Sequence, residues 1–452
     1  MSAHFIKMAV ASLLLLGVAL IFVSEGAEAG TWEQMDDIPS DLANIGGWYY
    51  DSESDLGIVF ESGSTNNDVF AYDYNTDTWE QMDDIPSDLA NIGGWYYDSE
   101  SDLGIVFESG STNNDVYAHK EKFPEWSYVT GSYVELVAIS ADGEYIVTST
   151  SSEKVRLFHR DSSTPLWDYE AGDYVESVAI SADGEYITVG SYNDDKVYLF
   201  DKDSSTPLWS YETEDSVRSV AISADGEYIA AGSSNGKVYL FDKDSSTPLW
   251  NYTTGDNIAY VAISADGEYI VAISYLTGAY DKIYLFNKDS GTPLWSYPFQ
   301  GNDHPLTVAI SADGEYIVVG EDNYKVYLFD KDSSTPLWTY TTGHYVYSVA
   351  ITADGEYIAA GSRDNKVYLF DKDSSTPLRN YTTGDWVQSV SISADGEYIA
   401  AGSGGDELNV NKVYLFDKDS STPLWSYTTG DRVESVSISA DGEYIVAGSN
   451  DW

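Results

Sequence analysis

One short string recurs along most of this chain. Asp-Gly-Glu-Tyr occurs eight times, beginning at Asp142, Asp183, Asp225, Asp266, Asp313, Asp354, Asp395 and Asp441, at intervals of 41 to 47 residues. Each unit contains four short runs rich in β-branched and aromatic residues, separated by Gly, Asn, Asp and Pro. In the second unit these runs, strands a to d, are residues 175–181, 186–191, 196–200 and 208–213. The period predicts an all-β fold, a β-propeller of four-stranded antiparallel blades.

All but one of the strand-d runs have a tryptophan near their start. These residues are Trp126, Trp167, Trp209, Trp250, Trp295, Trp338 and Trp425, and Arg379 takes the place in one unit. A flat indole at a fixed register fills the wedge between neighbouring sheets, so we predict that these tryptophans pack between blades. The alternative is a ladder of rings that stacks on carbohydrate.

The last unit ends after its strand b, and two runs upstream of the first unit match the missing strands c and d. They are residues 115–118 and 124–128. We predict that they pair with residues 434–439 and 444–449, which closes a ring of eight blades without exposed sheet edges. In the alternative, residues 93–109 claim the same two strands through a local hairpin, at a lower loop-closure cost.

The units resemble two families of propeller repeat. The stretch DGEYIAAGS…DNKVYLFD is similar to a WD40 repeat, without the usual Gly-His and Trp-Asp pairs, and KVYLFDKDSSTPLWSY resembles the repeat of quinoprotein-dehydrogenase-like propellers. Upstream, residues 31–69 and 78–116 are identical. Their Asn-Asp-Val…Tyr-Asp…Thr-Trp stretch resembles kelch blades. The resemblances imply a propeller fold but not one function, because propellers carry many activities.

Three segments follow from these patterns. Residues 1–29 have a weakly basic start, an apolar run from Met8 to Val23 and an Ala-Glu-Ala ending, which predicts a cleaved secretory signal peptide. Residues 30–114 are the kelch-like segment, and residues 115–452 are the eight-repeat propeller. The alternative to cleavage is a membrane anchor, but the apolar run is shorter than the roughly 20 residues that a spanning helix needs. We therefore expect a secreted or cell-envelope protein with no membrane span after cleavage, whose Asn251 and Asn380 are sequons for glycosylation.

The composition excludes several kinds of partner and chemistry. Seventy-five acidic residues against 22 basic ones give a net charge of −53, which repels nucleic acid and anionic membranes. The chain has no cysteine, so it forms no disulfide, thiol nucleophile or zinc-thiolate site. The acidic residues concentrate in the constant turns, which is typical of adaptation to a saline medium.

Variation among the repeats collects on one side of the expected disc. The a–b turn (ADGE) and the c–d turn (DKDSST) hardly change, whereas the b–c and d–a loops differ and carry the insertions. Because b–c and d–a loops share a face of a propeller, we call it the variable face and predict a binding rim there. Aromatic and arginine side chains are common at binding hot spots. The predicted rim residues are Tyr133, Tyr174, Arg218, Tyr345, Tyr347, Trp386 and Arg432. The alternative is unconstrained drift of exposed loops.

The sequence offers little for catalysis. The resemblance to quinoprotein dehydrogenases implies a quinone cofactor, calcium and adjacent cysteines, and the cysteines are absent. His304 and His344 break the repeat and lie in separate d–a loops, which leaves open a metal or acid–base pair. The DKDSS turns place oxygens as calcium loops do, but without the consistent glycine and glutamate, so we interpret them as Asx-turns. We predict no catalytic residue, metal or cofactor, with calcium as the exception left open.

The function expected from these observations is that of a secreted, non-enzymatic β-propeller that binds a protein or glycan through its variable face. One alternative is an enzyme at the channel mouth, either a diverged quinoprotein-type oxidoreductase or a hydrolase. Another is a structural module of the envelope or extracellular matrix.

Overall fold

The structure of the protein is a computed structural model. It describes residues 126–275, 281–299, 303–405, 410–420 and 422–450, and before residue 126 it describes only the backbone of strands. Residues 1–111 and 112–452 form two compact units. Apart from strand Leu20–Ile21, the predicted signal peptide lies outside the described residues.

The first unit contains three described sheets. Its strands are β1 (Leu20–Ile21), β2 (Glu33–Gln34), β3 (Ile45–Asp51), β4 (Leu56–Glu61), β5 (Val69–Asp73), β6 (Thr78–Gln81), β7 (Ile92–Asp98) and β8 (Leu103–Glu108). Strands β3 to β6 form an antiparallel four-stranded sheet, while β1 pairs with β2 and β7 with β8. The sheet β3–β6 has the strand number of one blade, and the kelch-like interpretation of this segment stays a prediction.

The second unit consists of four-stranded antiparallel sheets, and seven of them use strands that are consecutive in sequence. Blade 1 is β11 (Val134–Ile139), β12 (Tyr145–Thr150), β13 (Lys154–His159) and β14 (Trp167–Glu170); blade 2 is β15 (Val175–Ile180), β16 (Tyr186–Ser191), β17 (Lys196–Asp201) and β18 (Trp209–Glu212); blade 3 is β19 (Val217–Ile222), β20 (Tyr228–Ser233), β21 (Lys237–Asp242) and β22 (Trp250–Thr253); blade 4 is β23 (Asn257–Ile263), β24 (Tyr269–Tyr275), β25 (Lys282–Asn287) and β26 (Ser290–Pro298). Blade 5 is β27 (Pro305–Ile310), β28 (Tyr316–Glu321), β29 (Lys325–Asp330) and β30 (Trp338–Thr341); blade 6 is β31 (Val346–Ile351), β32 (Tyr357–Ser362), β33 (Lys366–Asp371) and β34 (Arg379–Thr382); blade 7 is β35 (Val387–Ile392), β36 (Tyr398–Ser403), β37 (Lys412–Asp417) and β38 (Pro423–Thr428).

A further sheet, which we call the closing blade, is composite. It consists of β39 (Val433–Ile438), β40 (Tyr444–Ser449), β9 (Asp115–Lys120) and β10 (Phe123–Val129), in that order. Strand β9 pairs with β40, with Val116 opposite Gly448, and its other edge pairs with β10. The predicted pairing of the upstream strands with the C-terminal strands is therefore confirmed. Both edges of β9 are occupied, so the local hairpin with residues 93–109 does not form.

A closed circle of backbone hydrogen bonds links each blade to the next around the ring. The alanine of each Ala-Asp-Gly turn donates its N–H to the carbonyl of the corresponding alanine in the next blade, as Ala141 does to Ala182 at 2.9 Å. The last of these bonds runs from Ala440 to Ala141, also at 2.9 Å. The predicted fold class, an all-β propeller of four-stranded blades, is confirmed.

Blades 1 to 7 bury their middle strands and expose much of their outer one. In β17, four central residues are buried, whereas β18 alternates half-buried with exposed residues. This follows from the sequence because strands b and c read as continuous apolar runs and strand d alternates. Adjacent blades bury a shared apolar layer, for example Val197, Leu199 and Phe241 between blades 2 and 3. The core is therefore a ring of inter-blade layers rather than a single centre.

Candidate functional site

The a–b and c–d turns form the other face of the disc, which we call the constant face, and hydrogen bonds and ion pairs among their own residues stabilise it. In the first a–b turn, the Asp142 carboxylate accepts hydrogen bonds from the Ser140 hydroxyl (2.5 Å) and the Glu144 N–H (3.0 Å). In a c–d turn, Asp201 accepts the N–H of Asp203 at 2.9 Å, which is an Asx-turn. Ion pairs then join the two turns of a blade: Lys202–Glu185, Lys243–Glu227, Lys288–Glu268, Lys331–Glu315, Lys372–Glu356 and Lys418–Glu397. The constancy of these turns thus has a structural explanation.

The strand-d tryptophans lie between blades. The indole N–H of Trp209 donates to the carbonyl of Lys243 in the next blade at 2.7 Å, and its ring lies 5.3 Å from that of Phe241. The same donation to the next blade is made by Trp126, Trp167, Trp250, Trp295 and Trp338. Trp425 packs against the cluster between blade 7 and the closing blade. A buried edge and a satisfied N–H fit inter-blade packing better than an exposed stacking ladder.

On the variable face, one sector gathers aromatic side chains from neighbouring blades. We call Tyr324, His344, Tyr345, Tyr347, Arg363 and Trp386 the aromatic cluster. The Tyr345 ring lies 5.7 Å from Tyr324, 4.5 Å from His344 and 6.1 Å from Tyr347, measured between ring centroids. The Arg363 guanidinium lies 3.5 Å from the ring centroid of Trp386 and 5.7 Å from that of Tyr345. Arg363 therefore joins rings that belong to different d–a loops through cation–π contacts.

Tyr324 of the aromatic cluster has an unusual backbone conformation. Its φ is +76°, and the residues at the same position before the strand-c lysine also have positive φ: Glu153, Asp195, Gly236 and Asn365. A bulky aromatic residue is costly in this conformation, whereas Gly and Asn tolerate it. Tyr324 is nonetheless 37% exposed. A strained and exposed aromatic side chain is typical of a recognition position rather than of the core.

His344 adds a neutral polar group to the aromatic cluster. Burial and the Arg363 charge lower its pKa, although Asp364 opposes them. The ring nitrogen Nδ1 accepts the N–H of Tyr345 at 2.8 Å. A neutral imidazole that accepts at Nδ1 carries its proton on Nε2. The aromatic cluster therefore offers rings, tyrosine hydroxyls and an imidazole N–H, with its one arginine already engaged.

A second sector of the variable face is charged. We call Glu135, Tyr174, Glu176, Arg218, Arg432 and Glu434 the charged group. Arg218 pairs with Glu176 at 3.2 Å, lies 4.6 Å from the Tyr192 ring centroid and donates to Ser234 at 2.9 Å. Arg432 donates through Nε to Glu434 at 2.6 Å, and Asn450 donates to the same carboxylate oxygen at 2.6 Å. Both arginines are therefore already paired with glutamates of the protein, and these pairs lie at the start of the a strands.

Burial raises the pKa values of two glutamates of the charged group. Burial raises the pKa of Glu135, assisted by Glu434 and Glu176, while the Tyr174 hydroxyl and Arg432 oppose the rise. Burial also raises the pKa of Glu176 against the effect of Arg218. The pKa of Tyr174 is raised by burial and by Glu135. A tyrosine hydroxyl that donates to a carboxylate is a structural contact, and no lone reactive acid emerges from these interactions.

Six of the seven predicted rim residues therefore fall into these two sectors. Tyr345, Tyr347 and Trp386 lie in the aromatic cluster, and Tyr174, Arg218 and Arg432 lie in the charged group. Tyr133 is half-buried, and its carbonyl accepts the N–H of Ser151 at 3.0 Å. Sequence reasoning missed Tyr324 and Arg363, which lie in b–c loops. Comparing the residue before each strand-c lysine would have singled out Tyr324, because its counterparts include Gly236 and Asn365.

The two histidines that break the repeat make different contacts. The Nδ1 atom of His304 lies 2.8 Å from a carboxylate oxygen of the buried Asp281, and its ring lies 4.8 Å from that of Tyr275. His344 instead contacts Tyr324 and Tyr345. Within the described parts of the chain, no three His, Asp or Glu side chains are arranged to hold a metal ion. Over the same residues, no helix has the length and apolar character for crossing a bilayer.

Comparison with known proteins agrees with this geometry. Residues 163–201 and 334–371 match the model of the WD domain, G-beta repeat. Two repeats of the β-propeller are therefore similar to WD40 repeats. Residues 188–321 also match a family of unknown function, DUF5711. The resemblances of the propeller to quinoprotein-dehydrogenase-like repeats and of its N-terminal segment to kelch blades stay predictions.

A solved structure with a similar fold is the hydrazine synthase of Kuenenia stuttgartiensis. The two proteins are 18% identical, the match covers 63% of this chain and 96% of the other, and the TM-score is 0.52. At this identity the likeness concerns the fold alone. No curated protein matches the sequence.

Proposed function

We propose that the protein is an exported, non-enzymatic propeller that binds a protein or glycan partner through its variable face. The observation that carries this proposal is the aromatic cluster. Its rings are partly exposed, come from b–c and d–a loops of neighbouring blades and from the start of strand β31, and include a strained Tyr324. Rigid aromatic side chains supply contact area at a low entropic cost, and tryptophan, tyrosine and arginine dominate binding hot spots.

The rest of the propeller supports different roles for the constant face and the variable face. The constant face consists of turns whose carboxylates are occupied by hydrogen bonds and lysine pairs, so it has few free groups for recognition. The variable face differs from blade to blade, as a surface that distinguishes one partner requires. Export follows from the predicted signal peptide and is part of the proposal.

The test uses the mature chain, immobilised and probed with a glycan array and with proteins from its native medium. Tyr345→Ala and Trp386→Ala are expected to weaken the binding that the intact chain shows by about 10-fold or more, because truncating a hot spot costs on the order of 2 kcal/mol. Tyr174→Ala tests the charged group, and Leu208→Ala, at an exposed position outside both sectors, serves as the matched control. Unchanged binding by both aromatic variants, with unchanged thermal stability, would contradict the proposal.

A titration with a soluble quinone and calcium tests the non-enzymatic part. We expect no saturable binding of quinone. Tight binding at one site per chain would instead favour the oxidoreductase alternative and remove this part of the proposal.

A further inference from the structure

One interface between blades lacks the tryptophan that fills the others. Between blades 6 and 7, strand d begins with Arg379, and the structure has a cavity of about 140 Å³ there. Its walls are Tyr357, Leu369, Leu378, Arg379, Lys418 and Asp419. We call this cavity the Arg379 slot. It opens at the outer edge of the disc, since Arg379 is exposed and Leu378 is 46% exposed.

The neighbouring interface shows what normally occupies this space. Between blades 5 and 6, Trp338 lies opposite Leu328 in the sheet, just as Arg379 lies opposite Leu369. The Trp338 ring is 5.3 Å from that of Phe370, and its N–H donates to the carbonyl of Lys372 at 2.7 Å. The other walls are of the same types in both interfaces, because Tyr316, Leu337, Lys372 and Asp373 correspond to Tyr357, Leu378, Lys418 and Asp419.

Local rearrangement fills only part of the vacated space. Tyr381, two residues further along the strand, stacks on Phe416 at 4.4 Å and donates its hydroxyl to the carbonyl of Asp417 at 3.1 Å. The Arg379 guanidinium donates to the carbonyl of Asp419 at 3.3 Å and stays exposed. The ring contact with the phenylalanine is thus replaced, whereas the outer part of the indole position is left empty.

We propose that the Arg379 slot binds a single aromatic ring of the indole type. A cavity of about 150 Å³ with apolar walls is sufficient to take up benzene, so the size suits one ring system. Tyr357, Leu369 and Leu378 supply apolar walls, and the Arg379 guanidinium lies at the edge, where it can contact a ring face. The Lys418 carbonyl corresponds to the acceptor that the indole N–H uses in other interfaces, and here the Tyr381 hydroxyl makes only a long 3.5 Å contact with it. This inference does not depend on the variable face or on its proposed partner.

The same ring can come from a free small molecule or from a tryptophan side chain of a partner protein. Two probes distinguish the sources, namely indole itself and N-acetyl-tryptophanamide, which carries the backbone of a peptide. Binding of both assigns the slot to a tryptophan side chain, and binding of indole alone assigns it to a small molecule.

Three chains test the proposal by titration, with fluorine NMR of 5-fluoroindole as the readout. The intact protein is expected to bind one ring per chain. Arg379→Trp supplies the missing indole from within, so it should abolish this binding and raise the melting temperature. Trp338→Ala is the matched control. It opens the corresponding space between blades 5 and 6, so this variant should bind a second ring.

Two results would overturn the proposal. One is binding by Arg379→Trp at the stoichiometry of the intact chain, which would place the ring elsewhere. The other is the lack of saturable binding by the intact chain up to the solubility limit of indole. Should Trp338→Ala fail to fold, the comparison of the intact chain with Arg379→Trp decides the question alone.

Discussion

Glu321 breaks the repeat at a buried position. It ends strand β28, where the other blades have serine or threonine, and its side chain is fully buried. Among the described residues, neither of its carboxylate oxygens has a hydrogen-bond partner of good geometry. Burial raises the pKa of Glu321 to about 8, and Asp303 and Asp322 add to the rise, while the nearby Tyr327 hydroxyl and Lys325 oppose it. At neutral pH this carboxyl is therefore protonated in the folded protein.

This residue makes stability depend on pH. Between the ordinary glutamate pKa of about 4.5 and the folded pKa of about 8, the folded state holds a proton that the unfolded state has released. Its contribution to the free energy of unfolding is therefore complete below about pH 4.5, decreases as the pH rises and levels off above about 8. The total loss is on the order of a few kcal/mol.

Urea denaturation at several pH values between 5 and 9 measures this effect. Glu321→Ser restores the residue of the other blades, and Glu321→Gln keeps the shape without the charge, so both should lose the pH-dependent component. Profiles of the three proteins that run parallel across this range would show that Glu321 does not titrate as described. Because Glu135 and Glu176 also have raised pKa values, the difference between variants is the informative quantity.

At the scale of the element, the a–b hairpin combines a backbone requirement with a contact between blades. Gly267 has φ +71°, and a Cβ atom built on it would lie 2.4 Å from the ring of Tyr228 in the preceding blade. The other Asp-Gly turns have the same relation to the preceding tyrosine, including Gly143 with Tyr444 across the ring closure. The glycine is thus needed both for its conformation and for the close approach of a ring.

We expect Gly267→Ala to destabilise the propeller by about 3 kcal/mol, because it adds a clash to the cost of positive φ. Gly255→Ala is the matched control, since Gly255 has φ +91° but open space around the added carbon. It should cost only about 1 kcal/mol. Chemical denaturation of both variants measures the two values. Equal losses would mean that the Tyr228 contact yields without cost.

Elements of this kind could be predicted from the sequence, whereas the candidate site could be predicted only in part. The sequence predicts a strand over residues 175–181, and β15 covers Val175–Ile180, because Ser181 is used by the hairpin. Repetition makes such local patterns visible eight times over. The contact of Arg363 with Trp386 depends on the approach of two different loops, and the exchange of Tyr381 for the missing indole depends on repacking. Neither leaves a periodic signal.

For the whole molecule, we expect the loss of strands from the closing blade to lower the stability of the propeller. Strand β40 pairs with β9 on the edge that faces outward from β39, so the loss of β9 exposes an unpaired edge. A chain without residues 30–111 keeps every strand of the second unit and should retain its stability. A chain without residues 30–129 lacks β9 and β10, and we expect it to lose several kcal/mol and to aggregate. Thermal unfolding with light scattering compares them, and equal melting temperatures would show that closure contributes little.

Net charge acts on the whole molecule as well. Without the predicted signal peptide, the chain retains a net charge of −52. The six lysine–glutamate pairs of the constant face offset little of it, since exposed pairs are each worth at most about 1 kcal/mol. Salt weakens these attractions and the far more numerous repulsions together, so relief of repulsion should prevail.

We therefore expect the melting temperature to rise as salt increases from about 10 mM, where the Debye length is about 30 Å, to about 1 M, where it is about 3 Å. Sodium chloride and potassium chloride should act alike, because screening depends on ionic strength and not on the identity of the cation. Sucrose at matched osmolality separates screening from exclusion of solute. A melting temperature that does not change with salt would contradict the argument, and a rise confined to one cation would indicate specific binding instead. We expect the melting temperature to respond equally to sodium chloride and potassium chloride because the acidic residues belong to turns that recur in every blade.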